Sequence, residues 1–427
     1  MKLKLFHITF WLLFSFFVLD FIFEISDSKD TLGCEGPTQA MVVFRQGADS
    51  FADTIKLLAS TWRRDPYING DHGVYPPIAY LLVYPLKFLY GGSKDLPDYE
   101  DLMDDGNIPC STLGLSILLA FVLILATIHR KEQPPCKLLG LALVLMCSSV
   151  VIFSVERANL ILISAIGAAV FLNNYNSQDK RKKLLAAGAL AIAATFKFYP
   201  AILGVVWLNR RDLKFLMLSG GLSFILGTVP LLFFQHSPFE NICALINNLG
   251  TCTDFARTTN FYTNINLTSY LALFIHTLAR SIYPYVHLFD YLFLAWSVIC
   301  AVCAVKSNQR WQREFLLASS IIYLSPFACF YTALYFIPSI VSFFCAPPHQ
   351  GKDDCWLAIL FAFMLTPFQI PGINPWIHFN FLILADLLFA LSVLLVARQL
   401  WSHFHHREIH SQRSIHSGSP NQQDGRE

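Results

Sequence analysis

Charged residues are scarce in this chain: only 14% of its 427 residues are Asp, Glu, Lys or Arg. A soluble domain carries about a quarter of such residues, so this chain has too few to cover a soluble surface. Its net charge of +2 gives no reason to expect a nucleic-acid partner. It also lacks a glycine-rich phosphate loop, an internal repeat and a metal-ligand spacing. The sequence therefore predicts no cofactor and no bound metal.

Hydrophobic residues make up 55% of the chain and occur in blocks, several of them long enough to cross a bilayer core of about 30 Å. This pattern excludes disordered, collagen-like and small disulfide-stapled chains and is typical of an all-α polytopic membrane protein. The first block could be a signal peptide, but no small-residue cleavage site follows it, so we expect a retained helix. About 12 crossings or partial crossings are predicted, at 5–23, 111–129, 138–154, 158–173, 184–197, 198–209, 214–234, 286–306, 313–332, 334–346, 354–370 and 378–397.

Basic residues cluster in the short segments between these blocks. Because Lys and Arg are enriched in cytoplasmic loops, the clusters and the even number of crossings predict that both termini are cytoplasmic. Two regions then lie outside: a first outer region, 24–110, with 14 acidic and seven basic residues, and a second outer region, 235–285. Residues 1–397 are interpreted as one membrane domain, and the polar tail 398–427 as a disordered cytoplasmic end.

Four of the 11 cysteines fall in the two outer regions. An oxidising compartment would permit two disulfides there, Cys34–Cys110 and Cys243–Cys252. The apolar segment 75–90 in the first outer region is interrupted by three prolines. It predicts an interfacial helix on the outer leaflet, with a true span as the alternative.

Lys197 lies at the junction of two short apolar segments, 184–197 and 198–209. Fourteen residues of helix reach only about 21 Å, so these segments predict a hairpin of half-depth helices lining a cavity. A lysine at that depth is costly unless an anion compensates its charge, which favours an anion site. The alternative is a lysine that reaches the outer headgroups.

Glu156 and Arg157 lie in a short turn between two predicted spans, on the same outer side, and Asn159 lies at the start of the second span. The planar guanidinium of Arg157 suits a phosphate. The alternative is a structural Glu156–Arg157 pair that caps the two helices.

The first outer region offers carboxylates on the same side. Asp49 and Asp53 are four residues apart, so they share a face if the segment is helical. Carboxylates opposite Lys and Arg indicate a general base beside a bound phosphate. For most of the acids in this region, a solvated acidic face is the simpler interpretation.

The order of these motifs resembles glycosyltransferase family 87. The motifs are the acidic outer region, Asp65-Pro-Tyr, Tyr75-Pro-Pro, Glu156-Arg-x-Asn and Lys197-x-Tyr-Pro. That family comprises polyprenol-phosphate-mannose-dependent α-mannosyltransferase-like membrane proteins of the C-type glycosyltransferase fold. The motifs of the resemblance lie within about residues 45–215. For the remainder of the chain, the resemblance rests on the predicted topology. The stretch that follows Ser325-Pro326 contains no His, in contrast to many members.

The resemblance implies transfer of a hexose, with mannose as first choice, from a polyprenyl-phosphate-sugar donor. The acceptor would be a glycan or glycolipid on the outer face, and the transfer would invert the anomeric centre. Asp53 would be the general base, with Asp49 as alternate. The substrate-binding residues would be Lys197, Arg157, Tyr199, Glu156, Asn159 and Tyr75.

A bacterial cytoplasmic membrane, in envelope glycan assembly, is the expected location, and the lipid bilayer itself is a partner. A transporter or flippase of lipid-linked saccharides is the alternative function. Broken helices and intramembrane charges suit a transporter as well, but the two matching halves common in such proteins are not detected.

Overall fold

The computed structural model describes the chain in twelve stretches: 1–27, 51–62, 64–68, 73–92, 95–129, 133–210, 212–258, 265–267, 287–325, 328–347, 353–366 and 379–416. The regular elements in these stretches are helices, as the sequence predicts. The α-helices of the first half are α1 Lys2–Asp27, α2 Ala52–Trp62, α3 Pro77–Val83, α4 Tyr99–Asp104, α5 Asn107–Ile128, α6 Pro135–Met146, α7 Ser149–Glu156, α8 Ile161–Asn174 and α9 Lys180–Phe196. Those of the second half are α10 Val205–Asn209, α11 Leu213–Thr228, α12 Pro238–Thr258, α13 His287–Lys306, α14 Arg310–Leu324, α15 Ile337–Cys345, α16 Asp353–Leu365 and α17 Phe379–His416. Short 3₁₀ helices follow α3, α9, α11 and α14 at Tyr84–Leu89, Tyr199–Gly204, Val229–Phe233 and Phe330–Phe336.

Several helices are long and apolar enough to cross a bilayer. Four of them in the described residues qualify, Asn107–Ile128, Leu213–Phe233, Leu288–Lys306 and Ile383–Trp401, and α6 with α7 adds a fifth if the bent pair is one span. The protein is therefore a multi-pass membrane protein. Other apolar helices are 10–17 residues long, too short to cross alone, so the predicted total of 12 crossings stays a prediction.

The predicted span 138–154 is not a single helix. Helix α6 ends at Met146, α7 begins at Ser149, and the two are bent by 53°. Ser148 is extended at ψ 144°, and its hydroxyl donates to the carbonyl of Leu145, while the Ser149 hydroxyl donates to Leu365 at 3.0 Å. Serine side chains compete with the helical hydrogen-bond ladder, and this pair redirects α7 toward the turn at residues 157–160.

Helices α8 and α9 form a closely packed antiparallel pair. A Cβ atom on Gly167 would lie 2.6 Å from the carbonyl oxygen of Ala189, so only glycine fits at this crossing. The Ser164 hydroxyl donates to the carbonyl of Ala193 at 2.7 Å. Small residues allow such backbone approach between helices in membranes.

The pair α8–α9 has two chemically different ends. At one end, Lys183 pairs with Asp212 at 2.7 Å, Arg310 donates to the Asn173 side chain at 2.6 Å, and the predicted cytoplasmic basic segments meet. The other end carries Arg157, in the turn before α8, and Lys197, directly after α9. The basic segments and the candidate site residues are therefore separated by the length of the pair.

Two hydrophobic cores are visible in the described residues. The larger is built from the apolar helices. The smaller lies in the outer regions and is centred on Tyr67, Tyr80 and Phe234, which pack edge to face with ring centroids 5.4–6.0 Å apart. Asn248 on α12 donates to the carbonyl of Tyr67 at 3.0 Å and so joins the second outer region to the first. The small core holds α2 against the ends of the apolar helices.

One of the two cysteine pairs that could form a disulfide is not bonded. Cys243 and Cys252 are both free thiols, so the disulfide that their location would permit is not formed. Both lie on α12, where nine residues separate them by about 13.5 Å along the axis, beyond the span of a disulfide of about 4.4–6.8 Å between Cα atoms. Cys34 of the predicted 34–110 pair lies outside the described residues.

The last described helix includes the first part of the polar tail. Helix α17 continues past residue 398 to His416, and a disordered cytoplasmic end stays a prediction. No Gly or Pro occurs between 398 and 416, so nothing in the local sequence stops the helix there.

Candidate active site

The first turn of α2 is fastened to the turn between α7 and α8 by main-chain hydrogen bonds. The amide of Phe51 donates to the carbonyl of Glu156 at 2.7 Å, and the amide of Asp53 donates to the carbonyl of Arg157 at 3.3 Å. These contacts satisfy amides at the start of α2, which have no partner within the helix. They bring together two segments that are about 100 residues apart in the chain.

The junction contains backbone conformations that most residues avoid. Ala158 has φ 49°, and its carbonyl accepts a hydrogen bond from the Thr54 hydroxyl; Phe51 has φ 57°. Left-handed conformations at non-glycine residues persist only where surrounding contacts enforce them and are common at functional sites.

Asp53 is the charged centre of this junction. Its carboxylate accepts hydrogen bonds from Arg157, at 2.9 Å from Nη2 and 3.3 Å from Nε, and from the Asn159 amide at 2.7 Å. Burial alone would raise the pKa of Asp53. The Arg157 guanidinium, the hydrogen bonds from Arg157 and Asn159, and the nearby Lys197 charge together keep that pKa below its usual value. Asp53 is therefore an ionised carboxylate at neutral pH.

Asn159 connects this carboxylate to Tyr75. The same amide nitrogen donates to the Tyr75 hydroxyl at 3.1 Å, while its side-chain oxygen accepts from the amide of Ile161 at 2.8 Å. The carbonyl of Tyr75 in turn accepts from the Tyr67 hydroxyl at 2.9 Å. Tyr75 is thus held in place from both sides.

Lys197 completes the cluster from the end of α9. It has left the helix, with φ −147° and ψ 128°. Its ammonium nitrogen lies 4.1 Å from the ring centroid of Tyr75 and 5.8 Å from that of Tyr331. Within the described residues, this ammonium forms no salt bridge, so its charge is balanced by aromatic faces and by the nearby Asp53 charge.

The structure therefore brings together five of the eight site residues that the sequence predicts: Asp53, Tyr75, Arg157, Asn159 and Lys197. Tyr199 begins the next 3₁₀ helix and hydrogen bonds with Ser325. The side chain of Glu156 is buried, and its carbonyl takes part in the junction with α2. Asp49 lies outside the described residues. The contact between Arg157 and Asp53 is new, because the sequence led us to expect Arg157 beside a phosphate.

The sequence did not predict the role of Tyr331. Its ring stacks on Phe153, with centroids 6.1 Å apart and an angle of 20° between the planes, and it faces Lys197. Tyr331 is 134 residues from Lys197, and one aromatic residue has no spacing that would connect it to a distant lysine. Its only signal was its place shortly after Ser325-Pro326.

Asn266 supports the segment that carries Tyr331. Its amide donates to the carbonyl of Ser325 at 2.8 Å, and the amide of Ile265 donates to the carbonyl of Ala328 at 2.8 Å. Asn266 is buried, so these bonds fix the start of the segment.

The described part of the chain contains no group of three or more His, Cys, Asp and Glu side chains placed to hold a metal. The charges of the cluster are those of one carboxylate, Asp53, and two cations, Arg157 and Lys197.

The fold and the site define a multi-pass membrane protein with a carboxylate and two cations at one end of its helices. Residues 74–331, more than half of the chain, match the sequence model of glycosyltransferase family 87, and the chain belongs to this family. Membership indicates a membrane glycosyltransferase. The match includes Tyr75, Arg157, Asn159, Lys197 and Tyr331 but begins after Asp53. No curated protein and no solved structure matched the chain.

Proposed function

We propose that the protein transfers a hexose, with mannose as the first candidate, from a polyprenyl-phosphate donor to a glycan or glycolipid acceptor. The reaction takes place on the outer face of a bacterial cytoplasmic membrane and inverts the anomeric centre. The observation that carries this proposal is that Asp53, paired with Arg157, is linked through Asn159 to Tyr75, whose ring also holds Lys197.

The reaction needs one base and a stabilised leaving group. Asp53 accepts the proton of the acceptor hydroxyl, whose oxygen forms a bond to the anomeric carbon. The bond from that carbon to the phosphate oxygen breaks, and the polyprenyl phosphate leaves with the electron pair. Attack from the face opposite the phosphate gives inversion. Because the donor is already activated, these residue types suffice for the chemistry.

Lys197 is the best placed cation for the departing phosphate. Its ammonium rests on aromatic faces, so a phosphate can approach it without displacing a carboxylate. A charge-assisted contact with phosphate is stronger than a contact between neutral groups. Tyr199, two residues further along, would help to orient the same group.

The outer-face assignment is supported by the two ends of the α8–α9 pair. The basic segments meet at the end that contains the pair Lys183–Asp212, and Lys and Arg are enriched in cytoplasmic loops. The Asp53 cluster lies at the opposite end. A lipid-linked donor suits this placement, because its phosphate lies at the level of the headgroups.

The test replaces the base. Asp53→Asn keeps the size of the side chain and an acceptor for Arg157 but removes the proton acceptor. We expect transfer from radiolabelled polyprenyl-phosphate hexoses to envelope extract to fall about 10²–10⁴-fold, with donor binding nearly unchanged. Asp104→Asn, an exposed acid at the end of α4, is the matched control and should keep full activity.

Full activity of Asp53→Asn would reject Asp53 as the base. A transporter would tolerate the substitution or lose binding of the lipid-linked sugar, and family membership favours transfer over transport. A panel of donors with different sugars then identifies the hexose.

A further inference from the structure

Two cations meet at one tyrosine in the first outer region, away from Asp53. The Lys87 ammonium donates to the Tyr84 hydroxyl and lies 4.0 Å from the centroid of the Tyr84 ring. Hydrogen bonds from Lys87, and to a smaller extent from Arg64, lower the pKa of the Tyr84 hydroxyl. The guanidinium carbon of Arg64 also lies 4.8 Å from the ring centroid of Phe233. We refer to Arg64, Tyr84, Lys87 and Phe233 as the rim cluster.

Arg64 is held in this position by its backbone. It lies two residues after the end of α2 and has φ 54°. Its carbonyl accepts a hydrogen bond at 3.0 Å from the amide of Gln235, two residues after the 3₁₀ helix Val229–Phe233. The rim cluster thus joins the end of α2, the 3₁₀ helix Tyr84–Leu89 and the end of the 3₁₀ helix Val229–Phe233.

The positive charge of the rim cluster has no partner of opposite sign among the described ion pairs. Neither Arg64 nor Lys87 takes part in any of them. The neighbouring carboxylate, Asp65, contacts His236 at 3.2 Å and the amide of Ile68 at 3.3 Å. Arg64 is exposed, and Tyr84 and Lys87 are half-buried, so these groups are accessible to a ligand.

The rim cluster lies at one end of a candidate span, which is the level at which a bilayer has its headgroups. Phe233 is the last residue of the candidate span Leu213–Phe233, and its ring packs edge to face on Tyr84 at 4.9 Å. Next to the cluster, Phe88 is 79% exposed and Leu232 is 74% exposed, which suits contact with lipid rather than with water. Tyrosine and basic residues at the end of a span are typical of the interface.

We propose that Arg64, Lys87 and Tyr84 bind the phosphate of an anionic glycerophospholipid of the outer leaflet. The guanidinium and ammonium groups neutralise the phosphodiester, the tyrosine hydroxyl donates to it, and the surrounding apolar side chains contact the acyl chains. Helix α2 extends about 13.5 Å from Asp53 to its last residue, Trp62, so this lipid fastens the far end of the helix that carries the proposed base. The main chain of residues 156–157 fastens the near end.

The experiment measures lipid binding and needs no sugar transfer. The full-length protein is released from vesicles that contain phosphatidylcholine with increasing phosphatidylglycerol, and the bound lipids are counted by native mass spectrometry. Each basic residue near an anionic surface contributes about fivefold in binding. We expect the affinity of one phosphatidylglycerol to fall about 25-fold in the double variant Arg64→Gln, Lys87→Gln.

Two control variants make the result specific. Lys56→Gln removes an exposed cation from the same helix, near Tyr99, and should leave phosphatidylglycerol binding unchanged. Arg64→Lys keeps the charge and should retain most of the binding. Thermal unfolding of each variant in the same detergent verifies that it is folded.

Equal phosphatidylglycerol binding by the wild type and the double variant would overturn the proposal. Equal retention of phosphatidylcholine at this site would also overturn it, because a zwitterionic lipid does not need two cations. Displacement of phosphatidylglycerol by a polyprenyl phosphate, lost in the double variant, would assign the rim cluster to the substrate instead. None of these outcomes depends on whether Asp53 is the base of the transfer reaction.

Discussion

The ion pair between Asp53 and Arg157 couples a proposed base to a cation. A carboxylate with a lowered pKa stays ionised to acidic pH but has a reduced affinity for protons. Transfer should therefore lose activity only when the pH falls through the lowered pKa of Asp53, below its ordinary value of about 3.9.

Arg157→Gln removes the cation that lowers the pKa of Asp53 most. We expect the acidic limb of the profile of kcat/KM against pH to move to higher pH, while Arg157→Lys should move it less. An acidic limb that does not move in Arg157→Gln would mean that another group controls it. Profiles are compared with the donor as the varied substrate.

Lys197 and the tyrosines around it give a second prediction at this scale. Lys197→Ala should raise the KM for the donor about 10–150-fold, because a contact between a charged group and phosphate contributes about 1.5–3 kcal/mol. A lower kcat with an unchanged KM would contradict this prediction, because it would place Lys197 in the chemical step rather than in donor binding.

Tyr331 acts on the lysine through its ring. Tyr331→Phe keeps the aromatic face and should leave the KM for the donor close to that of the wild type. Tyr331→Leu removes a cation–π contact of about 0.5–2 kcal/mol and should raise the KM for the donor about two- to thirtyfold. If Tyr331→Phe is as impaired as Tyr331→Leu, the hydroxyl and not the ring is the important group.

At the scale of helices, the α8–α9 crossing determines where Lys197 is presented. A methyl group at position 167 would meet the backbone of Ala189 and Ala193 at 2.6 and 3.0 Å, and backbone cannot move aside as a side chain can. Gly167→Ala should therefore lower the free energy of unfolding by about 1–3 kcal/mol, measured as a lower midpoint of thermal unfolding in detergent. Gly188→Ala on α9, where no atom lies within 4 Å of the added methyl, should be neutral or stabilising.

Helices were also where the sequence was most informative. Long apolar blocks predict helices reliably, because an apolar run of about 20 residues is too long for a buried strand and matches a membrane-spanning helix. The junction at Lys197 and the short turn at Arg157 followed from local charge at the edge of such blocks. The bend between α6 and α7 was missed, because two serines in an apolar run leave its hydropathy nearly unchanged. The pairing of Asp53 with Arg157 was missed, because the sequence contains no signal for a contact between residues 104 positions apart.

At the scale of the whole molecule, the position of the site relative to the bilayer is testable by labelling. We expect a membrane-impermeant maleimide to label Asp104→Cys in intact spheroplasts and to label Gln178→Cys only after lysis. Both positions are exposed, and all 11 native cysteines are first replaced by Ser. Labelling of both positions from the same side would contradict the proposed topology.

The fastening of Phe51 and Asp53 to residues 156 and 157 has a consequence for mutational screens. Amides and carbonyls make these contacts, and nearly every amino acid supplies both groups. A scan that exchanges side chains at position 156 would leave this attachment intact and give no sign of its importance. Proline at position 53 would remove one of the donors, and glycine at position 158 would relieve the backbone there. The two segments of the site are thus joined by main-chain groups, which most side-chain substitutions leave unchanged.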